Sequence, residues 1–277
     1  MDLMIPIGSF FLLYSFSNNE AVYHRPLNHH AMFSGGSVKS GLGSKRKADV
    51  EAFLTKEEVN RKPVRRYSGK TILVDSRDQL KPALKRISSE KVLGFDTETR
   101  PSFRKGEQHS TALIQLAGNE VVLVIRLNRT GLRPALREIL ASKDVIKAGI
   151  APGRDVEELK ELSYFKDSGF VDLAQMATER GLKNGGLKSL AANLLGYRVS
   201  KSMRTSNWES ETLSDSQIVY AATDAWVSRE LYFALNELKI VENPDDAPQL
   251  ERKKSGNRRN GIKNTAEHRG SKACQGN

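Results

Sequence analysis

The chain has 277 residues, with 44 Lys and Arg against 33 Asp and Glu, a formal net charge of +11, and one cysteine. That length is ample for a sizeable core, and the single Cys274 excludes an intrachain disulfide or a cysteine-based metal site and suits a reducing cytoplasm. The most apolar stretch of the leader, Phe10 to Tyr14, is too short for a transmembrane helix and lacks a basic region before it, so neither a membrane role nor a signal peptide is expected.

The charge is uneven. Residues 249–277 carry eight cations and two acids, residues 36–66 nine and four, and residues 1–35 sum to −1, which leaves +1 for residues 67–248. The middle of the chain is therefore nearly neutral and the basicity sits in the flanks. Such flanks attract polyphosphate without reading sequence, or serve only as solubilising ends. Four segments follow: a leader, 1–48, either disordered or mis-assigned, with translation starting at Met32 and residues 1–31 an artefact; an N-terminal extension, 49–69; one domain, 70–241; and a disordered basic tail, 242–277.

In chain order, residues 49–68 have some helical character and are expected to pack across the domain edge. Thr71 to Val74 reads as an edge strand. Arg77 to Ser88 reads as an amphipathic helix, with Leu80, Leu84 and Ile87 on one face. Three strands follow, Val92 to Thr97, Ala112 to Ala117 and Val121 to Ile125, the last two joined by a turn at Gly118-Asn119. Then come a helix from Leu132 to Ala141, a buried strand from Val145 to Ala148, and a helix through Val156 to Leu162 that opens near Gly153. Phe170 begins a short strand that runs into a helix, and Asn184-Gly185-Gly186 breaks the chain before a helix over Leu187 to Leu195. Ser214 is the predicted N-cap of a long final helix. Hairpin-paired strands followed by alternating helices and strands predict an α/β domain with a mixed central sheet.

Two carboxylates end the strand Val92-Leu93-Gly94-Phe95-Asp96-Thr97-Glu98. Side chains alternate along a strand, so Asp96 and Glu98 face the same way. Adjacent carboxylates repel unless a cation or proton intervenes, and magnesium and manganese favour oxygen ligands. Tyr220 and Asp224, spaced i, i+4, share one helical face. Asp224 lies in the apolar run Ala221-Ala222-Thr223-Asp224-Ala225-Trp226, where an unpaired carboxylate is costly. Taken singly, Asp-x-Glu is more often a solvated turn, and Tyr-x-x-x-Asp more often a core tyrosine beside a surface acid. Together with Gly153-Arg154-Asp155 between them, they point to metal-dependent phosphodiester cleavage.

These segments resemble the three motifs of the tyrosine-containing branch of the DEDD 3′–5′ exonuclease superfamily. Ala112-Leu113-Ile114-Gln115-Leu116, Gly186-Leu187-Lys188-Ser189-Leu190-Ala191 and Ser206-Asn207-Trp208-Glu209 are similar to further segments of its Werner-type and ribonuclease D-like members. The resemblance covers Lys70 to Leu238. It implies a ribonuclease H-like fold and two magnesium or manganese ions. Asp96, Glu98 and Asp224 would hold one ion; Asp96 would bridge to the second, supported by Asp155; Tyr220 would orient or help deprotonate the attacking water. The product would be a nucleoside 5′-monophosphate from a 3′ end. Many relatives carry an Asn upstream of the second-motif Asp; here Gly149-Ile150-Ala151-Pro152-Gly153-Arg154-Asp155 lacks it, as Werner-type members do, and Arg154 could alter the charge beside Asp155.

Lys183, Lys188, Arg198, Lys201 and Arg204 stand in a stretch, 182–206, that contains no acid. With Trp208 they suit a single strand, cations meeting phosphates and an aromatic meeting a base; the competing reading makes Trp208 a core anchor. Arg100, Arg104 and Lys105 could hold a loop over the scissile end or be ordinary loop charges. The expected substrate is a single-stranded or 3′-overhang nucleic acid, DNA ahead of RNA and trimmed without base reading. The rival readings are an exoribonuclease, a catalytically silent nucleic-acid-binding adaptor, and a scaffold for protein contacts.

Overall fold

A computed structural model of the chain describes residues 3–7, 10–14 and 50–238. At the N-terminus β1 (Leu3–Ile7) and β2 (Phe10–Tyr14) pair antiparallel in a two-stranded sheet of their own, where the leader was expected to lack structure. The rest of the leader and the tail 242–277 lie outside the described residues. The domain then runs α1 (Lys56–Arg61), β3 (Lys70–Val74), α2 (Arg77–Lys85), β4 (Val92–Thr99), β5 (Thr111–Ala117), β6 (Val121–Arg126), α3 (Leu127–Thr130), α4 (Pro134–Ala141), β7 (Ile146–Gly149), α5 (Gly153–Leu162), β8 (Phe170–Asp172), α6 (Leu173–Glu179), α7 (Leu187–Leu190) and α8 (Asp215–Glu237).

Six strands form one mixed sheet in the order β3-β6-β5-β4-β7-β8. β5 pairs antiparallel with both β4 and β6, while β3 pairs parallel to β6, and β7 and β8 continue parallel from β4. Every residue of β5 and β6 is buried, which explains their nearly continuous apolar runs: strands covered on both faces do not alternate. Phe95, Ile114, Leu116, Leu123 and Ile125 pack on one face with α2, α4 and α5. Leu113, Ala117, Val122 and Val124 pack on the other with Trp208 and the alanines of α8.

α8 spans 23 residues and begins with the expected cap: Ser214 accepts from the Gln217 amide while Gln217 reaches back to the Ser214 amide, a reciprocal capping box. Its inner side carries Ala221, Ala222 and Ala225, all fully buried. These small residues let it lie directly on β4. A Cβ placed on Gly94 would sit 1.9 Å from the Ala225 carbonyl oxygen, so glycine is required there by close approach.

The helix expected over Leu187 to Leu195 stops at Leu190 and widens into a π-turn, Ala191–Leu195, closed by Gly196 at φ 76°. Asn193 donates to the Glu51 carbonyl at 2.6 Å, drawing this turn onto the N-terminal extension. The extension packs Leu54 and Val59 against Ala192 and pairs Val64 with Arg198, as the expectation of packing across the domain edge required. Among the described residues no helix is long and apolar enough to cross a membrane.

Two buried cations serve as internal staples. Arg126 donates to the Glu211 carbonyl at 2.7 Å and to the Ser210 carbonyl, and meets Asp75 at 3.0 Å. Lys147 of β7 donates to the Ser142 and Val145 carbonyls at 2.6 and 2.8 Å, beneath the Phe170 ring, with no carboxylate beside it. Burial pushes its ammonium down to about 8. The unfolded chain holds this proton more tightly, so burying the charge penalises the fold most below about pH 8, and the penalty is relieved as pH rises toward 10.5. Wild-type stability should gain on the order of 2–3 kcal/mol over that interval relative to Lys147→Met, read by urea denaturation in a pH series.

Candidate active site

β4 supplies Asp96 and Glu98 to the face on which α8 lies, and α8 supplies Asp224 from its third turn. One carboxylate oxygen from each of the three falls within 4.8 Å of the others. Asp224 is buried, Asp96 and Glu98 half-buried. No cationic side chain touches the trio among the described ion pairs, and one Asp224 oxygen, Oδ1, has no hydrogen-bond partner in the protein. Three clustered carboxylates with an orphaned buried oxygen are the donor set a hard divalent cation takes, so these residues fit the metal that the sequence implies.

The electrostatics follow from that packing. Burial, then the charges of Asp224 and Asp155, push the Asp96 carboxyl far above its ordinary range. Burial and the same neighbours, with Asp96 foremost, push Glu98 up to about 10. Asp224 rises to about 7 through burial, held back by its hydrogen bond with Tyr220 and by the charge of Lys201. The Tyr220 hydroxyl is driven well above its ordinary value, by burial first and then by Asp224 and Glu98. It is therefore a protonated donor at neutral pH.

Asp155 stands apart from the trio. It sits in the first turn of α5, where it accepts a hydrogen bond from the Thr97 hydroxyl. Its charge still reaches Asp96 and Glu98. The Arg154 guanidinium is 89% exposed and pairs with Glu158 at 2.8 Å, and its charge lowers the Asp155 carboxyl only as the last of several influences, burial foremost, that on balance raise it. Just before α5, Ala151 adopts φ 48°, a left-handed conformation that suits Gly or Asn better, and its amide donates to Asp172 at 2.9 Å.

The substrate-contact candidates divide. Trp208 is fully buried, its ring 5.9 Å from that of Tyr220. It is a core anchor behind the site and cannot stack on a base, which corrects the nucleic-acid role considered for it. Arg100 is engaged with Glu209 at 3.3 Å, and His109 bridges Glu209 and Glu107. Arg104 and Lys105 lie exposed at the tip of the β4–β5 loop, beside a 79% exposed Phe103. Lys188 donates to Asn60 at 2.7 Å. Lys201 and Arg204 are exposed on the 200–206 turns, and the charge of Lys201 is felt at Asp224.

Two residues emerge only from the fold. Thr97 holds Asp155. Gln115 stands directly opposite Asp96 in the β4–β5 register and is fully buried, yet neither its amide nitrogen nor its oxygen has a partner in the protein. The alternation of β5 turns it toward α8, and only the strand register could have paired it with Asp96. An unpartnered buried amide costs about 1–3 kcal/mol. Gln115→Met is therefore expected to raise urea-midpoint stability by that order while slowing turnover, the exchange typical of polar groups retained at a working site.

Over residues 71–239 the sequence matches the protein family described as 3′-5′ exonuclease. The chain belongs to this family. The chain is 31% identical over 159 residues to the mouse bifunctional 3′-5′ exonuclease/ATP-dependent helicase WRN, a match spanning 55% of this chain and 11% of that protein. Among solved structures it resembles the Aedes aegypti Nibbler EXO domain, with a TM-score of 0.56 and 25% identity over 63% of this chain and 92% of that one. Escherichia coli RNase D shares the fold at 21% identity and a TM-score of 0.52, over 59% of this chain and 44% of that one. The six-stranded mixed sheet with flanking helices is thus the ribonuclease H-like fold of the DEDD exonucleases. The chain spans well under two thirds of the mouse relative's own length.

Proposed function

We propose that this exonuclease removes nucleotides from the 3′ end of single-stranded or 3′-overhang nucleic acid, DNA in preference to RNA, using two magnesium or manganese ions and releasing nucleoside 5′-monophosphates. The observation that carries this reading is the convergence of Asp96, Glu98 and Asp224 from β4 and α8 on one point. The preference for DNA rests on the likeness to the Werner-type relative, which also makes DNA repair the natural setting. The lone cysteine is in keeping with a cytoplasmic site of action.

Divalent ions bound there would sharpen the attacking water and neutralise the charge that builds on the phosphate. The chain's own residues do the rest. Asp96, Glu98 and Asp224 would hold one ion, and Asp96 with Asp155 would support the second. The Tyr220 hydroxyl, kept protonated, donates to Asp224 and fixes the rotamer of that carboxylate and the position of the nearby water. The water oxygen bonds to phosphorus as the P–O3′ bond to the upstream sugar breaks in line, and the leaving 3′ oxygen takes up a proton.

A 5′-labelled 3′-overhang duplex and a matched RNA strand test the reading, with Mg²⁺, Mn²⁺ or EDTA and an Asp96→Ala/Glu98→Ala control. A ladder shortening from the 3′ end, metal-dependent and absent from the control, is expected, and faster on DNA. Faster cleavage of RNA would move the substrate class; no ladder with retained strand binding would reduce the protein to a nucleic-acid-binding adaptor. Tyr220→Phe should lose about 10- to 100-fold in turnover with strand binding intact. Because the hydroxyl is an orienting donor and not the base, its loss should leave the shape of the pH–rate profile unchanged below pH 10.

A further inference from the structure

The run Arg61-Lys62-Pro63-Val64-Arg65-Arg66-Tyr67-Ser68-Gly69-Lys70 contains five cations and no acid. It is fixed against the domain. The Arg65 amide donates to the Arg198 carbonyl and the Arg198 amide to the Pro63 carbonyl, both at 2.9 Å, and the Tyr67 amide donates to Thr223 of α8 at 2.9 Å. Between this run and the outer side of α8 lies an open cavity of about 500 Å³, lined by Arg65, Arg66, Tyr67 and Trp226 among others. Trp226 is half-buried. It stacks on Tyr197 at 5.9 Å with planes 4° apart, and Tyr67 tilts against it at 5.7 Å. The Arg65 guanidinium lies 5.2 Å from the centre of the Tyr197 ring.

The cations here lack acidic partners. Arg65 and Arg66 are exposed and enter none of the ion pairs among the described residues, unlike Arg100, Arg154 and Lys160, which each meet a carboxylate. The basic surface continues through Arg198 toward Lys201. Burial, then the charges of Arg198, Lys201 and Lys56, holds the Lys188 ammonium down, which places these four side chains in one another's field. Lys201 in turn acts on Asp224. Cations bound in mutual repulsion beside an aromatic wall, leading to a carboxylate centre, form a surface for a polyanion with flat faces to stack.

We infer that the face formed by Arg65, Arg66, Tyr67 and Trp226 is a second contact for single-stranded nucleic acid, holding the strand upstream of the 3′ end while that end occupies the Asp96–Asp224 site. The inference rests on the exonuclease reading for the direction of the strand, and on the surface itself for binding. An acidic peptide would use the cations and leave the aromatic cavity unoccupied, so the strand fits better.

The test separates the two claims. Binding is read first, without cleavage, by fluorescence anisotropy in EDTA with labelled oligothymidylates of 4 and 20 nucleotides over a salt series. Arg65→Gln/Arg66→Gln is expected to weaken the 20-mer about tenfold, to flatten its log-affinity against log-salt slope by about 1–1.5, and to leave the 4-mer unaffected. Trp226→Leu should weaken the 20-mer several-fold with the salt slope unchanged, since stacking releases no counterions. Circular dichroism and melting of each variant establish that it is folded, and Arg66→Gln alone, which spares the Arg65–Tyr197 contact, serves if the double variant is not. In Mg²⁺ the double variant should raise KM for the 20-mer with kcat held. Equal loss on both lengths, no loss on either, or loss on an acidic peptide in place of the 20-mer would overturn the second contact. Wild-type protein that binds in this length-dependent way but never cleaves would retain the surface and sink the exonuclease reading instead.

Discussion

Millimolar Mg²⁺ or Mn²⁺ added to metal-free protein is expected to raise its melting temperature by several degrees and to start 3′-end cleavage, with EDTA reversing both. A ligand at a hundredfold its dissociation constant stabilises the state it binds by about 2.7 kcal/mol, worth about 5–10 °C in a domain of this size. The gain is large because the apo site is electrostatically unfavourable. Asp224 and Glu98, raised to about 7 and about 10, and Asp96, also raised, prefer to be protonated in the fold and ionised in the unfolded chain. Their penalty is absent below pH 4 and grows as pH rises through those values. Metal-free protein should therefore lose stability from pH 4 upward. Asp224→Asn, which removes one charge without changing shape, should be more stable than wild type in EDTA at pH 8, should gain little from metal, and should cleave at least about 1000-fold more slowly. Calorimetry with and without metal at pH 5 and pH 8 decides this: equal melting temperatures under all four conditions would mean that the trio does not hold a cation.

Gly94→Ala is expected to be among the most damaging single-methyl changes the domain can suffer. The added Cβ would meet the Ala225 carbonyl oxygen at 1.9 Å and the Arg229 amide nitrogen at 2.8 Å. Both belong to helix backbone, so α8 would have to lift from β4. Overpacking of a rigid contact costs about 1–3 kcal/mol and occasionally more, and here the displaced helix carries Tyr220 and Asp224. Loss of about 3 kcal/mol in chemical denaturation, with near-complete loss of cleavage even where the protein stays folded, is the expected result. A Gly94→Ala variant that cleaves at wild-type rate would show that α8 is not seated on β4 as described.

Two halves of the site were legible locally, since alternation on a strand pairs Asp96 with Glu98 and the helical repeat pairs Tyr220 with Asp224; that Asp224 joins the strand pair was what the resemblance implied. The near-neutral middle of the chain and the long capped final helix were legible for the same local reasons. What depends on register or on contacts between distant segments was not. Gln115 lies in a run of apolar residues, and nothing local says that it faces Asp96. For Trp208 the sequence offered both a core anchor and a stacking residue, and the packing of Leu113, Val124 and α8 around it decides for core. The π-turn at Ala191–Leu195 follows a sequence that favours helix; the pull of Asn193 toward Glu51 overrides it. The position of Asp155 between the other acids was legible, but its hydrogen bond to Thr97 is a property of the α5–β4 packing.

The seating of α8 on β4 also fixes when the protein can become active. The acids at the site come from an early strand and from the last helix of the domain, and a chain is made from its N-terminus. While it is still tethered to the ribosome, a particle rich in RNA, the growing polypeptide carries Asp96 and Glu98 without their partner. Closure of the site must await the emergence and docking of α8. A product interrupted before that helix, or one from which the helix has been clipped, keeps Asp96 and Glu98 but lacks Asp224, so its three-carboxylate cluster is incomplete.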